Sequence, residues 1–158
     1  MSKELVISGC NYFFEVLVKN FLEVEKSIQK QSGLLSIFKK IDFSERAGKF
    51  KNLNSLAFEA KSSLPSGDLI RGDAELFTLN SKLIESYSLY LNMTEVQHAL
   101  NMGLHGKTLG SQYPINEYNK HLEFFDMVRS ALESELPKLT SLYSSYLTEN
   151  FDSTHLPH

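Results

Sequence analysis

Val6, Cys10, Phe13, Leu17, Phe21, Val24 and Ile28 follow one another at spacings of 4, 3, 4, 4, 3 and 4. Side chains three and four positions apart share one face of an α-helix, so this row predicts an amphipathic helix sustained over about six turns. Ile7, Phe14, Val18 and Leu22 widen the stripe, which predicts a helix covered on more than one side. Ser32-Gly33 marks its end, because glycine accepts the left-handed conformation that closes a helix.

The same spacing organises the rest of the chain. Leu34, Leu35, Ile37, Phe38 and Ile41 make a short helical piece. Asp42 and Glu45 have the separation of a capping box and predict a restart. The restarted helix carries Phe43, Ala47, Phe50, Leu53, Ala57, Ala60 and Leu64 up to Pro65. Gly48, Asn52 and Asn54 make it the weakest of the set. Pro65-Ser66-Gly67-Asp68 is a turn signal.

Asp73 then reads as the N-cap of a third segment, with Leu76, Leu79, Leu83, Tyr87 and Tyr90 in one row and Phe77, Ile84 and Leu91 beside it. Thr94 and Gln97 have capping-box spacing, which predicts a break near Asn92 and a resumption to about Met102. Gly103 to Pro114 reads as one long loop. A fourth row runs through Tyr118, Leu122, Phe125, Val128, Leu132, Leu136, Leu139, Leu142 and Tyr146. Pro137 interrupts it and predicts a kink, or a restart capped by Ser134.

No segment alternates with period two, so no sheet is expected. With 158 residues, 42% of them apolar and 22% charged, the chain suits one domain with a real core. The expected fold is all-α: an antiparallel, up-down four-helix-bundle-like domain with broken or kinked second, third and fourth helices. The bundle is expected over residues 1–150, with a flexible C-terminal tail over 151–158.

Composition excludes several functions. Cys10 is the sole cysteine, so no intrachain disulfide forms and nothing points to an oxidising compartment. Its place in the apolar row predicts an inert, buried thiol. The net charge of −3 argues against general nucleic-acid affinity. Lys39, Lys40, Arg46, Lys49 and Lys51, interleaved with Phe38, Phe43 and Phe50, read as a solvated helix face. The charge is uneven: residues 1–64 carry ten Lys/Arg and seven Asp/Glu (+3), and residues 65–158 carry six and twelve (−6). The longest charge-free stretch of the first segment, Leu5–Phe14, is half of the roughly 20 residues a membrane helix needs. Ile7-Ser8-Gly9-Cys10 lacks the basic and apolar regions of a lipoprotein signal. The expectation is a soluble, cytoplasmic protein that binds neither membrane nor nucleic acid.

Gly106-Lys107-Thr108 resembles the end of a phosphate-binding loop, but position 101 is Asn where that loop needs glycine, and the preceding segment is helical. Glu95 and His98 have the Glu-x-x-His spacing that facing helices use in di-iron carboxylate bundles. With Glu117 and His121 they form a candidate set for Zn or Fe, to which His105 is a further possible ligand, and this is the alternative reading: a metal-binding bundle acting as oxidoreductase or sensor. The leading reading has no cofactor and no catalytic residues. It is a protein–protein interaction or regulatory bundle, of a size and charge that suit a small inhibitor or immunity-type protein. It would self-associate or bind another protein through Tyr12, Phe14 and Val18 of the first helix and through Tyr87, Tyr90, Tyr143 and Tyr146, since tyrosine is enriched at interfaces. A third reading, a small-ligand sensor binding between helices, has no specific residue pattern behind it.

Overall fold

The computed structural model describes residues 1–31 and 41–152, the side chains of 27–31 and 151–152 excepted. The fold is all-α. A rod begins with α1 (Ser2–Tyr12), passes through a π-helical stretch (Phe13–Val18) and continues as α2 (Lys19–Gln31). The side chain of Ile28, the Ser32-Gly33 stop signal, the Leu34–Phe38 piece and Lys39 and Lys40 lie outside the described residues.

α3 (Phe43–Ser62) starts where the capping signal places it: Asp42 is extended and its Oδ1 accepts the Glu45 N–H at 2.9 Å. Such a cap satisfies one of the amide donors that a helix start leaves free. A 3₁₀ turn (Gly67–Ile70) leads to α4 (Ala74–Thr108), whose first turn is capped by Asp73 Oδ1 accepting from Leu76 N–H at 3.1 Å. Asn80 ties the turn down by donating from Nδ2 to the Pro65 carbonyl at 2.9 Å. α5 (Ile115–Leu147) follows, and a π turn (Thr148–Asp152) extends it into the region expected to be tail; residues 153–158 lie outside the described residues.

α4 is the central element, at 35 residues about 52 Å long. It packs along α3 on one side and α5 on the other, and the rod lies across α4 and α3. Arg46 reaches Asn101, and Asn54 reaches Leu91 and Thr94. Lys82 meets Glu135 at 2.6 Å. The rod meets α5 through Asn11–Tyr143 and Glu25–Arg129, and meets α4 through Gly9–Tyr87 and Leu17–Tyr90. The core gathers Val6, Cys10, Phe13, Leu17 and Phe21 of the rod with Leu79, Leu83, Tyr87 and Tyr90 of α4 and Phe125, Leu132 and Leu139 of α5.

Three sequence expectations change. α4 is one helix through Asn92. Thr94 lies inside it and is buried, its hydroxyl donating to the Tyr90 carbonyl at 3.0 Å and accepting from Asn54 Nδ2 at 2.9 Å. The threonine signal was therefore a tertiary contact with α3 in place of a cap. The expected loop from Gly103 shrinks, because the helix runs to Thr108 and only Gly110 takes a left-handed conformation, at φ 92°. Gly103 serves packing: a Cβ there would stand 2.6–2.8 Å from the Tyr113 ring. α5 runs uninterrupted past Pro137, which is exposed.

Candidate functional site

The tyrosine row is not a surface. Tyr87 and Tyr90 are fully buried, and their hydroxyls donate to the carbonyls of Gly9 and Leu17, each at 2.8 Å. Tyr146 is 2% exposed and its hydroxyl has no hydrogen-bond partner among the described residues. These three residues are corrected from partner-binding to core. Four-residue spacing alone does not separate the edge of an apolar stripe from its centre, and each ring sits at the centre. Tyr143 is half-buried and donates to Asn11 Oδ1 at 2.6 Å, linking α5 to the rod.

The rod's outer side keeps part of the expected surface. Tyr12, Phe14 and Val18 are half-buried against the core, and Leu5 and Leu22 are exposed. Only 33% of the most apolar window of Ser2–Lys26 is buried, and this helix is long and apolar enough to cross a membrane by length and composition. Core helices of soluble proteins and signal sequences share that property.

The four metal candidates do not come together. Among the described residues, no three His, Cys, Asp or Glu side chains converge on one point. His98 Nδ1 lies 3.0 Å from the Ala47 carbonyl, Glu95 is exposed on α4, Glu117 is exposed in the first turn of α5, and His121 Nδ1 bonds the Tyr113 hydroxyl. Both imidazoles are thus engaged in tying helices and the α4–α5 connection. Cys10 is fully buried, and burial pushes its thiol up to about 12, which leaves it without thiolate at neutral pH.

One site was missed. The ends of α2 and α4 and the starts of α3 and α5 enclose a cleft of about 510 Å³ that contains two arginines. Arg46 is 6% exposed. Its Nε donates to Asn101 Oδ1 at 3.2 Å, and its Cζ stands 5.6 Å from the centre of the Phe50 ring. Asn101 is held in turn, donating from Nδ2 to the Gln97 carbonyl at 2.7 Å. Arg46 Nη1 is buried and has no partner among the described residues. Burial of the charged form lowers this guanidinium to about 10, the nearby Glu25 partly opposing the shift. Arg129, across the cleft, pairs with Glu25 and with Glu133 and stands over the Phe125 ring at 5.8 Å. Phe43, Phe50, Leu100, Leu104, Tyr118 and Leu122 supply the apolar walls.

A signal for Arg46 did exist in the sequence. It precedes Phe50, Leu53 and Ala57 by 4, 7 and 11 residues, which places it on the inward face of α3 while Lys49 and Lys51 face out. Reading it together with its basic neighbours concealed that.

No family model, no curated protein and no solved structure matches the chain.

Proposed function

We propose that the chain is a non-enzymatic interaction or regulatory module, an up-down antiparallel four-helix bundle that acts in the cytoplasm by docking a protein along the outer side of its N-terminal rod. The topology is supported by the pairings between helices. Arg46–Asn101 and Asn54–Leu91 run in opposite senses along α3 and α4, whereas Gly9–Tyr87 and Leu17–Tyr90 ascend together.

The observation that carries the docking role is the rod itself. Most of its apolar window is not enclosed by its own chain, and Leu5, Phe14, Val18 and Leu22 lie on the uncovered or half-covered side. Apolar area left in this way marks an interface. The occupant we assign is a second copy of the chain. Its basic N-terminal part (+3) and acidic remainder (−6) give two copies charge complementarity when the rods pack against each other.

Sedimentation equilibrium at micromolar concentration tests this. The expected result is a dimer that Leu22→Lys dissociates without loss of helix signal. A monomer throughout the concentration range refutes the reading, and flotation with liposomes would assign the apolar face to lipid. The metal alternative gains no support, because its candidate ligands point to different partners.

A further inference from the structure

We infer that the four-helix cleft around Arg46 and Arg129 is a binding site for a small organic monoanion, a carboxylate carried on an apolar body. The inference stands apart from the docking role of the rod, since the two surfaces share no residue used here.

The first argument is the buried guanidinium. A charge removed from water is retained only when it is paired and hydrogen-bonded. Arg46 makes one side-chain hydrogen bond, through Nε to Asn101, while Nη1 is buried with no partner among the described residues. Arginine is the side chain whose planar fork matches a carboxylate. A donor without an acceptor, on the wall of a cleft, is the half of such a pair that the protein supplies.

The second argument is charge. The cleft is lined by Arg46, Arg129 and Glu25 and by no other ionised side chain among the described residues, so its walls sum to +1. Arg129 already has Glu25 and Glu133. One unit of positive charge is therefore unmatched, which one carboxylate neutralises and a dianionic phosphate overshoots. Glu25, fixed on Arg129, would repel the second charge of a dianion.

The third argument is the wall. Phe43, Phe50, Leu104 and Leu122 are apolar, and the volume of about 510 Å³ is that of a small-molecule site. An inorganic anion would leave these side chains uncovered, whereas an alkyl or aryl carboxylate covers them.

Hexanoate, hexyl phosphate and hexanol separate the possibilities when each is titrated into the full chain by calorimetry. Hexanoate is expected to bind about tenfold or more tightly than hexanol, the difference one charge-assisted hydrogen bond supplies, and more tightly than hexyl phosphate. Arg46→Met is expected to erase that preference. Leu104→Trp keeps the guanidinium and fills the cleft, and it should weaken hexanoate and hexanol together by about tenfold, so the test survives if the Arg46 variant does not fold. Equal binding of hexanoate and hexanol overturns the inference, as does hexanoate binding unchanged in both variants. Preference for hexyl phosphate overturns the choice of a monoanion. None of these results depends on the oligomeric state, so failure here and failure of the dimer are read separately.

Discussion

Three buried tyrosines make a controlled experiment in what a hydroxyl contributes. Tyr87 and Tyr90 each donate a 2.8 Å hydrogen bond to a carbonyl of the rod, and Tyr146 has a buried hydroxyl without a partner among the described residues. Tyr→Phe removes the oxygen and keeps the ring. At position 87 the Gly9 carbonyl retains the Phe13 N–H, so the loss is one net hydrogen bond, about 1 kcal/mol. The same figure applies at 90. Both rings touch Phe13, at 4.9 and 5.8 Å between centres, so the double variant should lose about 2 kcal/mol with a coupling of at least about 0.5 kcal/mol possible in either direction. For a chain of this size that lowers the melting temperature by about 4–8 °C. Tyr146→Phe removes an unsatisfied buried group, whose desolvation costs about 1–3 kcal/mol, and should leave stability unchanged or raise it. Urea denaturation followed by the helical circular-dichroism band measures all three. The reasoning is refuted if Tyr146→Phe costs as much as Tyr87→Phe, or if the Tyr87 and Tyr90 variants match the parent.

Two glycines should respond oppositely to alanine. A Cβ on Gly9 would stand 2.6 Å from Leu64 Cδ2 and 3.2 Å from Leu83 Cδ2, so Gly9→Ala is expected to destabilise by about 1–3 kcal/mol through overpacking; a gain would mean the rod can move away. Gly48 lies within α3 with nothing within 4 Å of a Cβ, and Gly48→Ala should stabilise by about 0.5–1 kcal/mol in the same denaturation assay. Cys10 should react with a disulfide reagent only at the rate of unfolding, and a fast native reaction would contradict its burial. Burial raises Cys10, Tyr87 and Tyr90, so the folded chain holds these protons after the unfolded chain has released them. Stability must then fall as pH rises above about 9, by up to about 1.4 kcal/mol per pH unit for each group. Tyrosinate absorbance and helix signal, recorded together, should show the buried pair ionising only as the helices melt.

Helix existence was legible because it is a local property. The rod's row, the Asp42 and Asp73 caps and the Tyr118–Tyr146 row each depend on neighbours within one or two turns, and each is realised. What failed depended on distant partners. Thr94 with Gln97 looks like a cap until Asn54 of α3 is seen against it, and Gly103 looks like a loop until the Tyr113 ring is seen across it. Tyr87 and Tyr90 were assigned outward because tyrosine has a polar tip. Rod carbonyls satisfy those tips inside the bundle. Arg46 was hidden in the same way, its charge speaking for the surface and its spacing for the interior.

The π-helical stretch at Phe13–Val18 has a geometrical consequence. Phe13, Leu17 and Phe21 are all buried, although eight residues separate the first from the last. In a uniform α-helix those eight residues rotate Phe21 about 80° past Phe13, far enough to turn one of them out of the interior. A wider coil takes up more residues per revolution and brings the aromatic rings back into azimuthal alignment. Deleting one residue from this stretch would therefore act at a distance, swinging everything up to Gln31 by about 100° and carrying Glu25 away from Arg129.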